Sequence, residues 1–233
     1  MFRYVVVGVI GLVAGSAWAQ QAAPQAGVSA PSSSSAPVQP SRAVVPMEEP
    51  QPGDHWTYEV RDEIVGKISA TRTFLITGVT PTEIIERVNS SDKAEPNQVV
   101  SDRSWNLTAS GDWRFSPNDG SGIQLPLAVG KTWNFQCNVI NASNGNIRKR
   151  SGHSTISGQE SVTTKAGTFE TYKIEMTFVG RSVQDPSRAT EVTTQVWYAP
   201  VIDHWVKRTF VSRVDKHVLL NNTIELVDYG RKQ

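Results

Sequence analysis

Residues 166–207 constrain the fold more than any other part of the chain. In AGTFETYKIEMTF, Tyr172, Ile174, Met176 and Phe178 fall on one parity, and Thr171, Lys173, Glu175 and Thr177 on the other. A period of two marks a strand with one buried face and one wet face. TEVTTQVWYAP and DHWVKR follow after a polar turn, so an antiparallel meander is predicted. Further strands are predicted at 67–79, 83–88, 98–107, 112–115, 147–157, 190–198, 204–211 and 217–228. Thr80-Pro81, Asn118-Asp119-Gly120, Asn144-Gly145, Asp185-Pro186 and Ala199-Pro200 supply the turns between them. No segment sustains a helical period. The pattern predicts an all-β domain over 53–230: one large, curved antiparallel sheet of about twelve strands, either a half-open barrel or two packed sheets.

An internal echo runs through this domain. Gly53-Asp54-His55-Trp56-Thr57-Tyr58 and Gly130-Lys131-Thr132-Trp133-Asn134-Phe135 share the pattern G-x-x-W-x-aromatic. Each is followed by a strand ending in Ile-x-Gly, at Ile76-Thr77-Gly78 and Ile156-Ser157-Gly158. A duplicated β-meander and the convergence of two ordinary strand starts both fit this spacing.

The N-terminus sets the compartment. Residues 1–19 carry Arg3, an apolar run and Ala17-Trp18-Ala19, the layout of a cleaved secretory signal. That run falls short of the roughly 20 residues a spanning helix needs, and no Cys stands at the cleavage point for a lipid anchor. A periplasmic or secreted protein without a stable membrane anchor is expected. Residues 20–52 hold seven Pro and the run Ser32-Ser33-Ser34-Ser35. Such a composition buries too little apolar surface to order itself, so a disordered linker is expected.

Removing Arg3 from 23 basic residues leaves 22 against 22 acidic ones, a formally neutral chain without the footprint of a nucleic-acid binder. Arg148-Lys149-Arg150, beside turn-forming Asn144 to Asn146, reads as a solvated hairpin tip. The single Cys137 shares parity with Trp133, Phe135 and Val139 and reads as core.

Catalytic and metal signals are missing. His55, His153, His204 and His217 are far apart and form no HExxH or His-x-His arrangement, and no GxSxG occurs. No cofactor, metal or enzymatic activity is expected. The tryptophans are more informative. Trp56, Trp105, Trp113, Trp133, Trp197 and Trp205 all fall in predicted strands, with Trp56 and Trp133 on apolar parities. Trp197 shares its face with Glu191, Thr193 and Gln195, and Trp205 with Lys207 and Thr209. As cross-strand neighbours around Ala199-Pro200, Trp197 and Trp205 form an exposed aromatic pair beside Lys207, fit to contact a ligand or partner. A second apolar layer over Trp197 is the alternative.

The run AGTFETYKI, a strand ending in WYAP and the strand DHWVKR, preceded by VGKTW, resemble a group of exported bacterial proteins, the TapB-like and related periplasmic domain-of-unknown-function families. The matching residues are Gly130 to Trp133, Ala166 to Ile174, Trp197 to Pro200 and Trp205 to Arg208. Ile202-Asp203-His204 replaces a Gly-containing turn, and Lys165 a common Pro. The resemblance implies a curved antiparallel sheet in the envelope and carries over no catalytic residue.

Two functions follow from these features: an exported non-enzymatic binding or assembly domain that engages an envelope protein, or a carrier or sensor that holds a lipophilic small molecule in a half-open barrel. Nothing in the pattern fixes the oligomeric state.

Overall fold

The alternation predicted at 171–178 is realised, and it builds a wall with an inside and an outside. The computed structural model describes residues 44–231, in which every regular element is a strand except one 3-10 turn, Pro200–Ile202. The strands are β1 (Asp54–Asp62), β2 (Lys67–Val79), β3 (Glu83–Ser90), β4 (Asn97–Asp102), β5 (Leu107–Ser110) and β6 (Trp113–Ser116). Then come β7 (Thr132–Asn141), β8 (Ile147–Thr164), β9 (Gly167–Ser182), β10 (Ala189–Ala199), β11 (His204–Val214) and β12 (His217–Arg231). Each pairs antiparallel with its neighbours in sequence, and β1 pairs with both β2 and β12. The predicted antiparallel sheet is present, and it closes into a twelve-stranded barrel. Closure removes the free edges that a half-open form would expose.

The expected signal peptide at 1–19, and the linker as far as residue 43, lie outside the described residues. Residues 44–52, placed in the linker by their composition, pack on the domain instead. The Met47 N–H donates to the Val201 carbonyl at 2.8 Å, and the Val45 N–H to the Tyr229 hydroxyl at 2.7 Å. Met47 is 2% exposed. Averaged composition hides the apolar Val44 and Met47 among prolines, so the ordered domain starts earlier than residue 53.

The echo in the sequence is matched in the backbone. Gly53 and Gly130 both take left-handed φ values, 97° and 88°, which favour glycine. Their N–H groups donate to the Ile76 and Ile156 carbonyls, at 2.9 and 2.8 Å. A register shift follows each of those isoleucines, between Ile76 and Gly78 and between Ile156 and Gly158. β1–β6 and β7–β12 are thus two six-strand halves opened by the same local device.

Register assigns the inner face. Tyr172, Ile174, Met176 and Phe178 of β9 lie across from Tyr198, Val196, Thr194 and Val192 of β10, and all point inward. The base of the barrel is a dense apolar plug. Trp56, Tyr58, Ile76, Ile84, Ile202 and Leu226 are each at most 1% exposed there. The hairpin of β8 and β9 outgrows the barrel: after the shift at Gly158 it lies over the outer wall, where Phe169, Val162 and Ala166 pack in the cluster that covers Trp197, and Phe169 meets the Tyr229 ring edge-on at 5.8 Å. Lys165 at its tip reaches Glu59 of β1 at 2.7 Å. Burying an aromatic layer outside a barrel wall adds apolar area beyond the interior alone.

Candidate functional site

Above the plug the barrel is not filled. A cavity of about 350 Å³ lies against β2, β3, β4, β9, β10 and β11. That is within the range of roughly 300 to 1,000 Å³ typical of small-ligand pockets. Phe74, Val88, Val99, Ile123, Met176 and Val196 give it an apolar wall, Trp105 and Trp205 stand toward the plug, and it extends to the exposed Lys93 beyond β3. A second cavity of about 310 Å³ lies between Phe115, Phe178 and Phe210, with Arg148 and Arg150 on its wall. The 117–131 connection folds inward: Asp119 and Ile123 are 4% and 7% exposed, and Ser121 and Ile123 line the first cavity.

The polar groups inside are few and unevenly charged. Arg72, Arg148, Arg150 and Arg208 face the cavities, against the carboxyls of Glu86 and Asp119. Asp119 lies 3.7 Å from Arg150, whose guanidinium also sits over the Phe178 ring at 4.3 Å. Arg72 and Arg208 hydrogen-bond only to hydroxyls among the described residues: Nε of Arg72 donates to Ser90 Oγ at 3.4 Å, and Nε of Arg208, whose guanidinium also sits 5.9 Å over the Phe210 ring, to Thr194 Oγ1 at 3.3 Å. Burial, with Arg150 and Arg72 nearby, pulls Arg208 below its usual value although Asp119 opposes this. Glu86 makes no ion pair with them. It is 3% exposed, its Oε1 has no hydrogen-bond partner, and burial pushes its carboxyl up to about 8.

Beneath the cavity the plug is held by a hydrogen-bonded aromatic stack. The Tyr58 hydroxyl donates to the Trp205 carbonyl at 2.8 Å and therefore accepts from His204 Nδ1, which fixes the imidazole tautomer. His204 stacks on Trp56 at 4.4 Å, and burial holds its pKa down to about 3. A neutral imidazole packed between aromatics serves as structure. Among the described residues no group of three or more His, Cys, Asp or Glu is placed to hold a metal ion.

Trp197, Trp205 and Lys207 do not form an exposed group. Trp197 has the outward parity predicted, but it is 8% exposed beneath the β8–β9 hairpin, and its indole N–H donates to Glu160. The second apolar layer accounts for it. Trp205 turns inward because the register between β10 and β11 shifts after Trp197, pairing Tyr198 with Trp205 and Trp197 with Lys207. It stacks on Tyr58 at 3.8 Å and lines the cavity. Lys207 stays outside, 2.7 Å from Glu225 and 5.6 Å above the Trp197 ring.

Other expectations shift likewise. Trp105 sits in the turn after β4, with φ 64° and its N–H bonded to the Asp102 carbonyl, rather than in a strand. Arg148 and Arg150 belong to the inner face of β8, not to a solvated tip. Cys137 is buried, as its parity predicted. Sequence reasoning passed over Arg72, Glu86 and Arg208, although a signal was there: each is a charged residue on the otherwise apolar parity of its strand, such as Ile84, Glu86 and Val88.

No known family profile and no curated protein sequence matches the chain. Solved structures do. A provisional lipoprotein of Parabacteroides distasonis superposes with a TM-score of 0.57 at 14% identity, over 81% of this chain and all of that one. A provisional exported protein of Bacteroides fragilis, with what is called a YmcC-like fold, superposes with a TM-score of 0.51 at 15% identity, over 80% of this chain and 98% of its own. At these identities the likeness is one of fold: this chain is built on the same barrel as those two proteins.

Proposed function

We propose that this is an exported, non-enzymatic binding protein that takes a small lipophilic molecule into its barrel. One observation carries the reading: a barrel plugged at its base by fully buried aromatics keeps an apolar cavity of about 350 Å³ above the plug. Protein interiors are packed to crystal-like density, so space of this size in a closed barrel is a feature to be explained. Export rests on the signal-like 1–19 segment and on the resemblance to TapB-like and related periplasmic families, and it places the protein in the periplasm or outside the cell. Trp205, on the cavity wall, contacts the ligand in this reading, while Trp197 and Lys207 do not.

Native mass spectrometry of the full-length exported protein, purified gently from its own envelope, tests the proposal. An added mass that organic extraction removes is expected. A mass unchanged by extraction would count against it.

Engagement of an envelope partner is a second reading, favoured by the far rim. Ile64, Val65 and Ile68 of the β1–β2 hairpin are 51–63% exposed, and Val218, Leu219 and Leu220 at the start of β12 are 44–56% exposed. The Glu63 N–H bonds the Asn221 carbonyl at 2.8 Å, so the two groups adjoin. Contiguous exposed apolar residues of this kind mark interaction surfaces.

A further inference from the structure

The polar groups inside the barrel say more about the occupant than its size does, and the argument rests on the cavity reading above. Charge is only partly compensated there: Asp92, bonded to Ser90, acts on Arg72 and Asp119 on Arg208, neither through a direct ion pair. Arg72 and Arg208 both line the first cavity, on strands β2 and β11, and each spends only its Nε on a hydroxyl. Among the described residues neither has a carboxylate in ion-pair contact, and Asp119 is engaged with Arg150. Glu86, which lines the same cavity, is held largely neutral by burial and offers a hydroxyl donor more than a counter-charge. Withdrawing the Arg208 guanidinium from bulk water without a counter-ion in contact is unfavourable. A structural role would favour an apolar residue at either position, yet both arginines line the cavity with only Nε engaged in a hydrogen bond. Guanidinium groups are suited to oxyanions, which they bind through paired N–H donors.

We propose that the cavity binds an anionic amphiphile: an acyl or alkyl chain along Phe74, Val88, Val99, Ile123 and Met176, with an oxyanion head taken by the free Nη atoms of Arg72 and Arg208. The head group, carboxylate or phosphate ester, shares the chemistry these donors recognise. Lys93 lies toward the exposed end of the cavity and adds a third positive charge on the route in.

Calorimetric titration of the full-length protein, stripped by organic extraction and refolded, with decanoate, decyl phosphate and 1-decanol tests this, with the fluorescence of Trp105 and Trp205 as a second readout. At least one of the two anions should bind about 10- to 100-fold tighter than decanol, the range set by hydrogen bonds to charged groups. The tighter of the two names the head group. Arg208→Met and Arg72→Met should each remove that advantage and leave decanol binding within about 2-fold. Arg208→Met should also raise the melting temperature, because it relieves a buried charge, so a lost interaction will not be confused with a lost fold. Equal binding of all three ligands would overturn the anionic head while leaving the apolar cavity reading intact. Binding of none of them would overturn both.

Discussion

Glu86 is the place where the electrostatics of the interior can be read from outside. It stands on β3 between Ile84 and Val88 on the inner face, 3% exposed, and burial raises its carboxyl from the ordinary 4.5 to about 8. Between those two values the folded protein holds a proton that the unfolded chain has released. Stability from this group is therefore complete below about pH 4.5 and is lost as pH rises toward 8. The slope is about 1.4 kcal/mol per pH unit, giving a ceiling of about 4 kcal/mol between pH 5 and 8, less wherever cavity water reaches the carboxyl. Glu86→Gln keeps the shape and has no proton to lose. His204, held down to about 3, and Asp203, raised to about 6 by burial, titrate in both proteins and cancel in the comparison. Urea unfolding of wild type and Glu86→Gln at pH 5, 6, 7 and 8 should show the wild type losing stability relative to the variant at each step. Parallel profiles would refute the reasoning. They would mean that Glu86 is ionised in the folded protein and already neutralises one of the arginines.

Four glycine and tryptophan variants test the fold around the cavity. A Cβ at Gly152 would meet the Thr177 carbonyl oxygen at 2.3 Å and Phe135 at 2.6 Å, whereas one at Gly158 meets nothing within 4 Å. Gly152→Ala should lower stability by about 3 kcal/mol or more, and Gly158→Ala by under about 0.5, both measured by chemical denaturation. Trp197→Ala should cost about 3 to 5 kcal/mol and open the 158–171 hairpin to limited proteolysis, yet leave ligand affinity unchanged because the ring lies outside the barrel wall. Trp205→Ala should change affinity directly.

The parity of β9, β10 and β12 made the sheet legible from residues alone, because a half-buried strand must alternate. What alternation cannot reveal is a shift in register. The single irregularity beside Tyr198 carries Trp205 to the opposite face from Lys207, and with it the pairing of Trp197 and Trp205 is lost. Nor does parity show what covers an outer face. Trp197 faces outward, as its parity predicts, but the strands that bury it arrive from residues 158–171, beyond a second register shift at Gly158. The polar face of β10 is thus wet at Glu191 and dry at Trp197. Closure of the barrel rests on β1 meeting β12, a contact between strands at opposite ends of the domain that no local pattern records. The interior arginines were legible in principle, since Arg72 interrupts the series Ala70, Phe74 and Ile76, but a charged residue on an apolar parity is easily taken for an error of register.

On the proposal above, this protein binds its ligand in the barrel interior. A crystal structure of protein taken from its own envelope without organic extraction tests it most directly. Continuous density is expected for an elongated molecule against Met176 and Val99, with its head about 3 Å from the Nη atoms of Arg72 and Arg208. Density for ordered water alone in that cavity, at a resolution that defines the surrounding side chains, would contradict it.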